Sequence, residues 1–274
     1  MTDEPFYLTE KDPKRFLQIY VRKYKSTYYR RKAKEVLRLL PGDLREKRFL
    51  DVGCCGGYFS IAMAKRGATG IGCDISPYAV NAAKLHAKRA GVDKKIVFKT
   101  GDAAQMTIPG QFDVILAKDV IEHIEDDIGF LRKISGLLSP RGRLIITTQN
   151  KASANYYIEG ALRKLLNPRK RWVGWDPTHL RWYTPNRLRK KLRAADLIIN
   201  RFSGSYYIPY EILYKKILKR DLGGGIMTLI DDTLGGSWPF DRHGWSISAR
   251  AKVMELHRPT NNKTKHNKDK GRYA

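Results

Sequence analysis

The sequence predicts a doubly wound α/β fold built on a seven-stranded sheet. Three observations carry this expectation. Short apolar runs alternate with amphipathic helical stretches from residue 48 onward. A Gly-rich turn, Gly53-Cys54-Cys55-Gly56-Gly57, follows the first apolar run at once. Polar residues then recur just after each predicted strand, where sheets of this kind bind ligands.

The elements follow in order. Residues 13–40 carry Phe16, Ile19, Tyr20 and Tyr24, then Ala33, Val36, Leu37 and Leu40, at helical spacing. Pro41-Gly42 stops that stretch. Residues 48–52 read as a strand and 57–66 as a helix. Residues 69–74 form the next strand. Ser76 caps a helix over 77–90, with Pro77 at its first position. Strands are expected at 95–99 and 112–117, and a helix at 126–138 ends at Ser139-Pro140. Residues 143–148 give the fifth strand. After a change of pattern, a helix over 185–195 and strands over 197–202 and 245–253 complete the fold.

The division expected is an N-terminal helical cap (1–42), a core (43–150) and a basic, aromatic insertion (151–183). The C-terminal part of the same fold (184–257) and a disordered basic tail (258–274) follow. Of 274 residues, 42% are hydrophobic, so a core can be buried and general disorder is excluded. The acidic, polar MTDEPFYLTE predicts no secretory leader. No run approaches the ~18 apolar residues of a membrane span. The three cysteines, Cys54, Cys55 and Cys73, lack the spaced pairs of a zinc site and fit a reducing, cytoplasmic compartment.

The net charge of +26 predicts an anionic partner. It is unevenly placed. Residues 51–150 hold 13 basic and 10 acidic side chains, an ordinary balance, whereas 151–274 hold 26 and 10. Residues 163–193 alone carry eleven basic side chains against Asp176.

The informative positions are the strand ends: Asp51 to Gly57, Asp74, Gly101-Asp102, Lys118 to His123, and Gln149-Asn150. Glycines in the first turn let backbone approach a ligand and aim helix N–H groups at it. A carboxylate at Asp74 can accept both hydroxyls of a ribose. The spacing of Gly53, Gly56 and Gly57 does not give the GxGxxG of dinucleotide folds.

The stretches FLDVGCCGGYFS, GIGCDISPYAV, VFKTGDA, FDVILAKDVIEHI and LLSPRGRLIITTQN resemble, in order and spacing, the class I S-adenosylmethionine (SAM) dependent methyltransferases. The resemblance covers roughly 48–150. It implies that Asp51, Gly53 and Gly57 hold the methionine part of SAM. It implies that Asp74 with Ile75 binds the ribose, that Asp102 and Ala103 bind the adenine, and that Lys118 lines the site through its backbone. Cys55 stands in the turn where the family usually has Gly, which predicts a narrowed or shifted turn. That departure is the one hint of a different class, a SAM-binding protein without catalysis.

Asp119, Glu122 and His123 fall at i, i+3 and i+4, one face of a first helical turn. With His179, from DPTHLRWYTPNRL, they make a candidate Mg, Mn or Zn site. The same position resembles a carboxylate-x-x-Glu-His motif of two subgroups. These are the ubiquinone-biosynthesis O-methyltransferases and the small-RNA 3′-terminal 2′-O-methyltransferases. The first group usually has Glu where Asp119 stands, as does the second. Without a metal, His123 or His179 is the candidate base for the acceptor.

The stretch 155–175 interleaves Tyr156, Tyr157, Ile158, Leu162, Leu165, Leu166, Trp172 and Trp175 with Arg163, Lys164, Arg169, Lys170 and Arg171. Such a mixture suits the plane of an anionic membrane, and an insertion there resembles the ubiquinone-type enzymes. The composition also fits RNA phosphates and stacked bases. The apolar stretch 226–234 is expected in a substrate channel. Tyr20, Tyr24, Tyr28 and Tyr29 read as core or lid, and His243 as a turn residue. The reading is therefore a SAM-dependent O-methyltransferase acting on a hydrophobic or prenylated hydroxyl compound at the inner face of a membrane. RNA 2′-O-methylation is the alternative.

Overall fold

Capping side chains set where the helices begin. Asp12 accepts a hydrogen bond from Lys14 N and opens α2 (Pro13–Lys25), which follows the single turn α1 (Phe6–Thr9). Ser26 ends α2 and caps α3 (Thr27–Leu39). Ser76, Asp126 and Thr184 cap α5 (Pro77–Arg89), α6 (Asp127–Leu137) and α8 (Pro185–Arg193). Proline holds the first turn of α2, α5 and α8, where its missing N–H costs nothing. In this computed structural model residues 6–166, 176, 178–205, 229, 233–234 and 237–254 are described. The tail, the 226–234 stretch save three residues, and Trp172, Trp175, Arg169, Lys170 and Arg171 lie outside them.

The strands are β1 (Arg48–Val52), β2 (Thr69–Asp74), β3 (Ile96–Thr100), β4 (Phe112–Lys118), β5 (Leu138–Gln149), β6 (Leu197–Ser205) and β7 (Ser246–Val253). They lie in the order β3-β2-β1-β4-β5-β7-β6. The first five are parallel and β7 runs antiparallel between β5 and β6. The chain winds outward from β1 to β3 and then returns to place β4 on the other side of β1. That reversal opens a crevice at the carboxyl ends of β1 and β4.

Side-chain alternation along these strands makes two cores. Leu50, Ile115, Leu144 and Ile146 pack with Phe130, Ile134, Leu188 and Leu192 of α6 and α8. Phe49, Leu116 and Ile145 face the other way, onto Val36, Leu39, Phe59, Met63 and Val80 of α3, α4 (Tyr58–Lys65) and α5. The sequence reading placed these elements correctly but shortened β5 and β6. β5 begins at Leu138, before Ser139-Pro140, because Leu138 pairs with Phe112 ahead of a bulge. β6 runs on to Ser205, paired with β7 on both sides of a bulge at Asn200.

Tyr183, fully buried, was not singled out by the sequence. Its hydroxyl donates to Asp127 Oδ2 at 2.7 Å, and Lys191 Nζ and Arg181 reach the same carboxylate at 2.7 and 2.9 Å. Burial raises the Asp127 pKa, but these donors outweigh it and hold the carboxyl below its usual range. The cluster ties α6, α8 and the segment before α8 together. Asp127→Ala, which strands two cations, is expected to destabilise the protein by about 3 kcal/mol, against about 1 kcal/mol for Tyr183→Phe. Urea unfolding at pH 7 measures both. The Asp127 contribution is present above the ordinary carboxylate range and is lost as pH falls through the depressed folded pKa, so the two variants converge in acid.

Candidate active site

The first half of the crevice is the turn after β1. Gly53 and Gly57 adopt left-handed φ of 67° and 78°. A Cβ on Gly53 would lie 2.6 Å from Val120 Cγ2, so this turn and the one after β4 touch. Cys55 is also left-handed, φ 47°, and its N–H donates to Asp74 Oδ2 at 2.8 Å. The turn therefore closes in the form glycine would give, at a cost of about 1 kcal/mol for a side chain there. Ser76 N holds the other Asp74 oxygen at 2.9 Å. Burial raises the Asp74 pKa, and these two N–H groups oppose the rise.

Asp51 lies beneath the turn, 2% exposed, and accepts from Ser60 Oγ at 2.6 Å. Burial pushes its carboxyl up to about 7 despite that bond. Ile75 is exposed beside Asp74, and Ala103 is buried next to Asp102, which accepts from Ala104 N at 2.8 Å. The residues implied for SAM thus lie at the carboxyl ends of four strands, β1, β2, β3 and β4. Lys118, expected to line the site through its backbone, also has a side-chain role. Its Nζ donates to Asp119 Oδ2 at 2.6 Å.

The N-terminal helices close one side. The Tyr20 ring occupies the space over Gly56, where a Cβ would come within 2.4 Å of it, and its hydroxyl accepts from Tyr58 N. Tyr24 stacks on Tyr58 at 4.1 Å. These tyrosines are packing residues that also cover the glycine turn. The Tyr28 side chain lies outside the described residues.

The second half of the crevice corrects the metal expectation. Asp119 has a left-handed φ of 52° and precedes a 3₁₀ turn, Ile121–His123, instead of sharing one α-helical face with it. Its carboxylate accepts from Lys32 Nζ at 2.9 Å, Lys118 Nζ at 2.6 Å and Thr147 Oγ1 at 2.9 Å. Burial opposes ionisation, yet the two ammonium groups keep it well below the carboxylate range. Among the described residues, the ligand atoms that gather within 4.8 Å belong to Glu122, His123 and His179, without Asp119.

These three differ in setting. Glu122 is 1% exposed and neither carboxylate oxygen is hydrogen-bonded. Burial first, then the Asp119 charge, pushes it up to about 8. His179 stacks edge-on to His123 at 4.8 Å between centroids and packs on Trp182 at 5.0 Å. Burial, then His123, pushes it down to about 4, so it is neutral at pH 7. His123 Nδ1 lies 3.3 Å from both the carbonyl and the hydroxyl oxygen of Thr178. Leu180 N donates to the Glu122 carbonyl at 3.0 Å and locks the two segments together. Asp176 anchors this strip: Thr178 and Tyr7 donate to it at 2.6 and 2.8 Å. Neither Thr178 nor Tyr7 stood out in the sequence, because only the fold brings residues 7, 123 and 178 together. His243 is exposed at a turn, as expected.

Helix α7 (Ala154–Leu166) follows β5. Tyr156 packs inward on Trp182, while Tyr157, Ile158 and Leu165 are 63%, 43% and 76% exposed. Among the described residues no helix is long and apolar enough to cross a membrane.

A family model described as a methyltransferase domain matches residues 24–199. Ubiquinone biosynthesis O-methyltransferase of Aeromonas salmonicida is 34% identical over 178 residues, 64% of this chain and 72% of the relative. The protein of that name from Pseudomonas fluorescens is 33% identical over 196 residues, 69% of this chain and 81% of the relative. The fold resembles magnesium protoporphyrin IX methyltransferase from Synechocystis, solved with bound SAH (TM-score 0.53, 21% identity, 78% of this chain and 76% of that one). It also resembles an S-adenosylmethionine-dependent methyltransferase structure from Listeria monocytogenes (TM-score 0.54, 18% identity, 81% and 96%).

Because the folded Glu122 pKa is raised, the folded state holds its proton more tightly than the unfolded chain. Stability therefore falls as pH rises from the ordinary carboxylate range through about 8. Glu122→Gln is expected to melt about 3 °C or more above the parent at pH 8.5 with chelator present, and level with it near pH 4. Thermal melts across that range test it, and a flat difference sinks the argument.

Proposed function

This chain belongs to the class I S-adenosylmethionine-dependent methyltransferases, and we propose that it methylates a hydroxyl oxygen of a hydrophobic acceptor at an anionic membrane surface. The observation that carries the chemistry is the Glu122–His123–His179 group, set across the Gly53–Val120 contact from the SAM turn. The reaction breaks the bond from the sulfonium to its methyl carbon and forms the bond from acceptor oxygen to that carbon, with the acceptor proton leaving. Alignment and proximity supply most of the acceleration.

The residues assume different tasks. His179, held near 4, binds a proton weakly and suits a neutral ligand more than a base. In the absence of an ion, His123, oriented by Thr178, is the base that takes the acceptor proton. Glu122, with both oxygens buried and unbonded, is the chemistry that a cation would complete. The three donors fit a divalent ion: one carboxylate and two imidazoles, with Asp119 kept out by its lysines. Such an ion, when bound, would lower the pKa of the acceptor hydroxyl.

Two features support the acceptor class. The relatives named above act in ubiquinone biosynthesis by name, which suggests a phenolic hydroxyl on a lipid-like molecule. The exposed Tyr157, Ile158 and Leu165 make an apolar strip on α7, with Lys164 beside it, as interfacial helices have. An RNA-binding face would present its cations there instead.

Radiolabelled SAM offered with lipid extract, total RNA and protein separately tests the acceptor. Label is expected in the lipid fraction, lost on treatment with EDTA and restored by Mg, Mn or Zn. His123→Ala is expected to slow transfer about 10²- to 10⁴-fold. Label in RNA overturns the acceptor class, and full activity after chelation overturns the metal. The membrane role has its own test. Replacing Tyr157, Ile158 and Leu165 together by Ser is expected to abolish flotation with anionic liposomes, and unchanged flotation refutes it.

A further inference from the structure

Residues 151–274 carry a surplus of basic side chains that neither SAM nor a phenol uses. Part of it gathers around one ring. Phe202 of β6 is buried, and the guanidinium carbons of Arg189 and Arg242 lie 5.3 and 5.4 Å from its centroid. These arginines come from α8 and from a 3₁₀ turn (Phe240–Arg242), 53 positions apart in sequence, so the fold itself assembles the pair. Stacking on a ring fixes a guanidinium plane while leaving N–H groups at its edge for an anion. Arg193, four residues after Arg189 on α8, adds a third cation on that face.

Among the described residues little negative charge answers them. Asp241 is 9% exposed, and its Oδ1 is 3.6 Å from Arg242 Nε. Partial burial and then the charges of Arg242 and Arg193 hold Arg189 below the ordinary arginine range, with Asp241 only partly opposing. The backbone that carries Arg242 is rigid. Asn150 Nδ2 donates to the carbonyls of Arg242 and Gly244, both at 2.9 Å. A Cβ on Gly244 would meet the Ser205 backbone at 2.5 Å. Asn150 directly follows β5, so Arg242 stands at the carboxyl edge of the sheet, while Arg189 lies midway along α8.

We propose that Arg189, Arg193 and Arg242 form a binding site for a phosphate group, a monoester or diphosphate, separate from the SAM and acceptor positions. A phosphate offers several oxygens to planar N–H forks and a charge of about −2 to a cluster short of carboxylates. The group belongs either to a soluble phosphate-bearing molecule or to a lipid headgroup, and the chemistry is the same. A second cluster supplies a control of equal charge. Arg201 lies directly opposite Arg250 in the β6–β7 register, and Arg250 is tied to Asn200.

The test is calorimetric titration of the full chain with inorganic pyrophosphate at fixed ionic strength. Arg189→Gln with Arg242→Gln is expected to weaken binding at least about tenfold, and Arg201→Gln with Arg250→Gln less than about twofold. Arg193→Gln removes an exposed side chain, so it keeps the test sound if the first double variant folds poorly. It is expected to weaken binding about threefold without lowering the melting temperature. Absence of pyrophosphate binding, or equal losses in the two double variants, overturns the proposal. Vesicles containing phosphatidic acid or phosphatidylglycerol at equal charge then separate the sources. Preference for phosphatidic acid, competed by pyrophosphate, assigns a headgroup, and equal binding that pyrophosphate leaves unchanged assigns a soluble ligand. These outcomes do not depend on whether the acceptor is a lipid phenol.

Discussion

The contact between Gly53 and Val120 is the constraint on which the site depends. It leaves no room for a Cβ, so the turn after β1 and the turn after β4 pass within van der Waals distance. The parallel pairing of β1 with β4 brings them there, and that pairing follows from the reversal of winding between β3 and β4. A cofactor cradled by one turn is consequently beside any group carried by the other. A methyl donor held by the first turn would neighbour the Glu122–His123–His179 group because two strand ends meet.

Charge placement at the second turn follows from α3. Lys32 is 8% exposed at its side chain and reaches Asp119 from the N-terminal helices, where Lys118 joins it. Two ammonium groups and one hydroxyl saturate that carboxylate. Glu122, three residues on, has no ion pair among the described residues; burial and then the Asp119 charge raise it, and Thr148 and Lys32 only partly oppose them. Two carboxylates close in sequence are thereby driven in opposite directions, one firmly ionised and one protonated at neutral pH.

Most of the fold was legible because it is written in local signals. Ser76-Pro77, the glycine turn and the alternation of apolar runs with helical stretches are read by the backbone as they are by eye. The positions implied for SAM were legible as strand ends: Asp51, Asp74 and Lys118 lie in the last residues of β1, β2 and β4, and Asp102 follows β3. The metal group was only partly legible. Spacing placed Asp119 with Glu122 and His123, but a left-handed residue and a 3₁₀ turn broke the assumed helical face, and a lysine 87 positions away claimed the carboxylate. Thr178, Tyr7 and Tyr183 carried no signal at all. Their roles come from partners 55, 169 and 56 positions distant, which no local pattern encodes.

The burial of negative charge around the crevice explains why a cationic cofactor belongs there. Asp51 and Glu122 are both withdrawn from water, and both are raised by that withdrawal. A cationic ligand near Asp51, or a divalent ion on Glu122, would replace the lost solvation with opposite charge and favour the ionised carboxylate. Asp119, already neutralised by lysines, gains nothing from such a ligand and so serves as structure. The same rule separates the two regions of the molecule. Inside the crevice, among the described residues, carboxylates outnumber the ammonium groups that answer them, which favours a cationic ligand. Around Phe202 the imbalance is reversed, with guanidinium groups outnumbering the one carboxylate beside them among the described residues, so an anion is the ligand that lowers the electrostatic energy there.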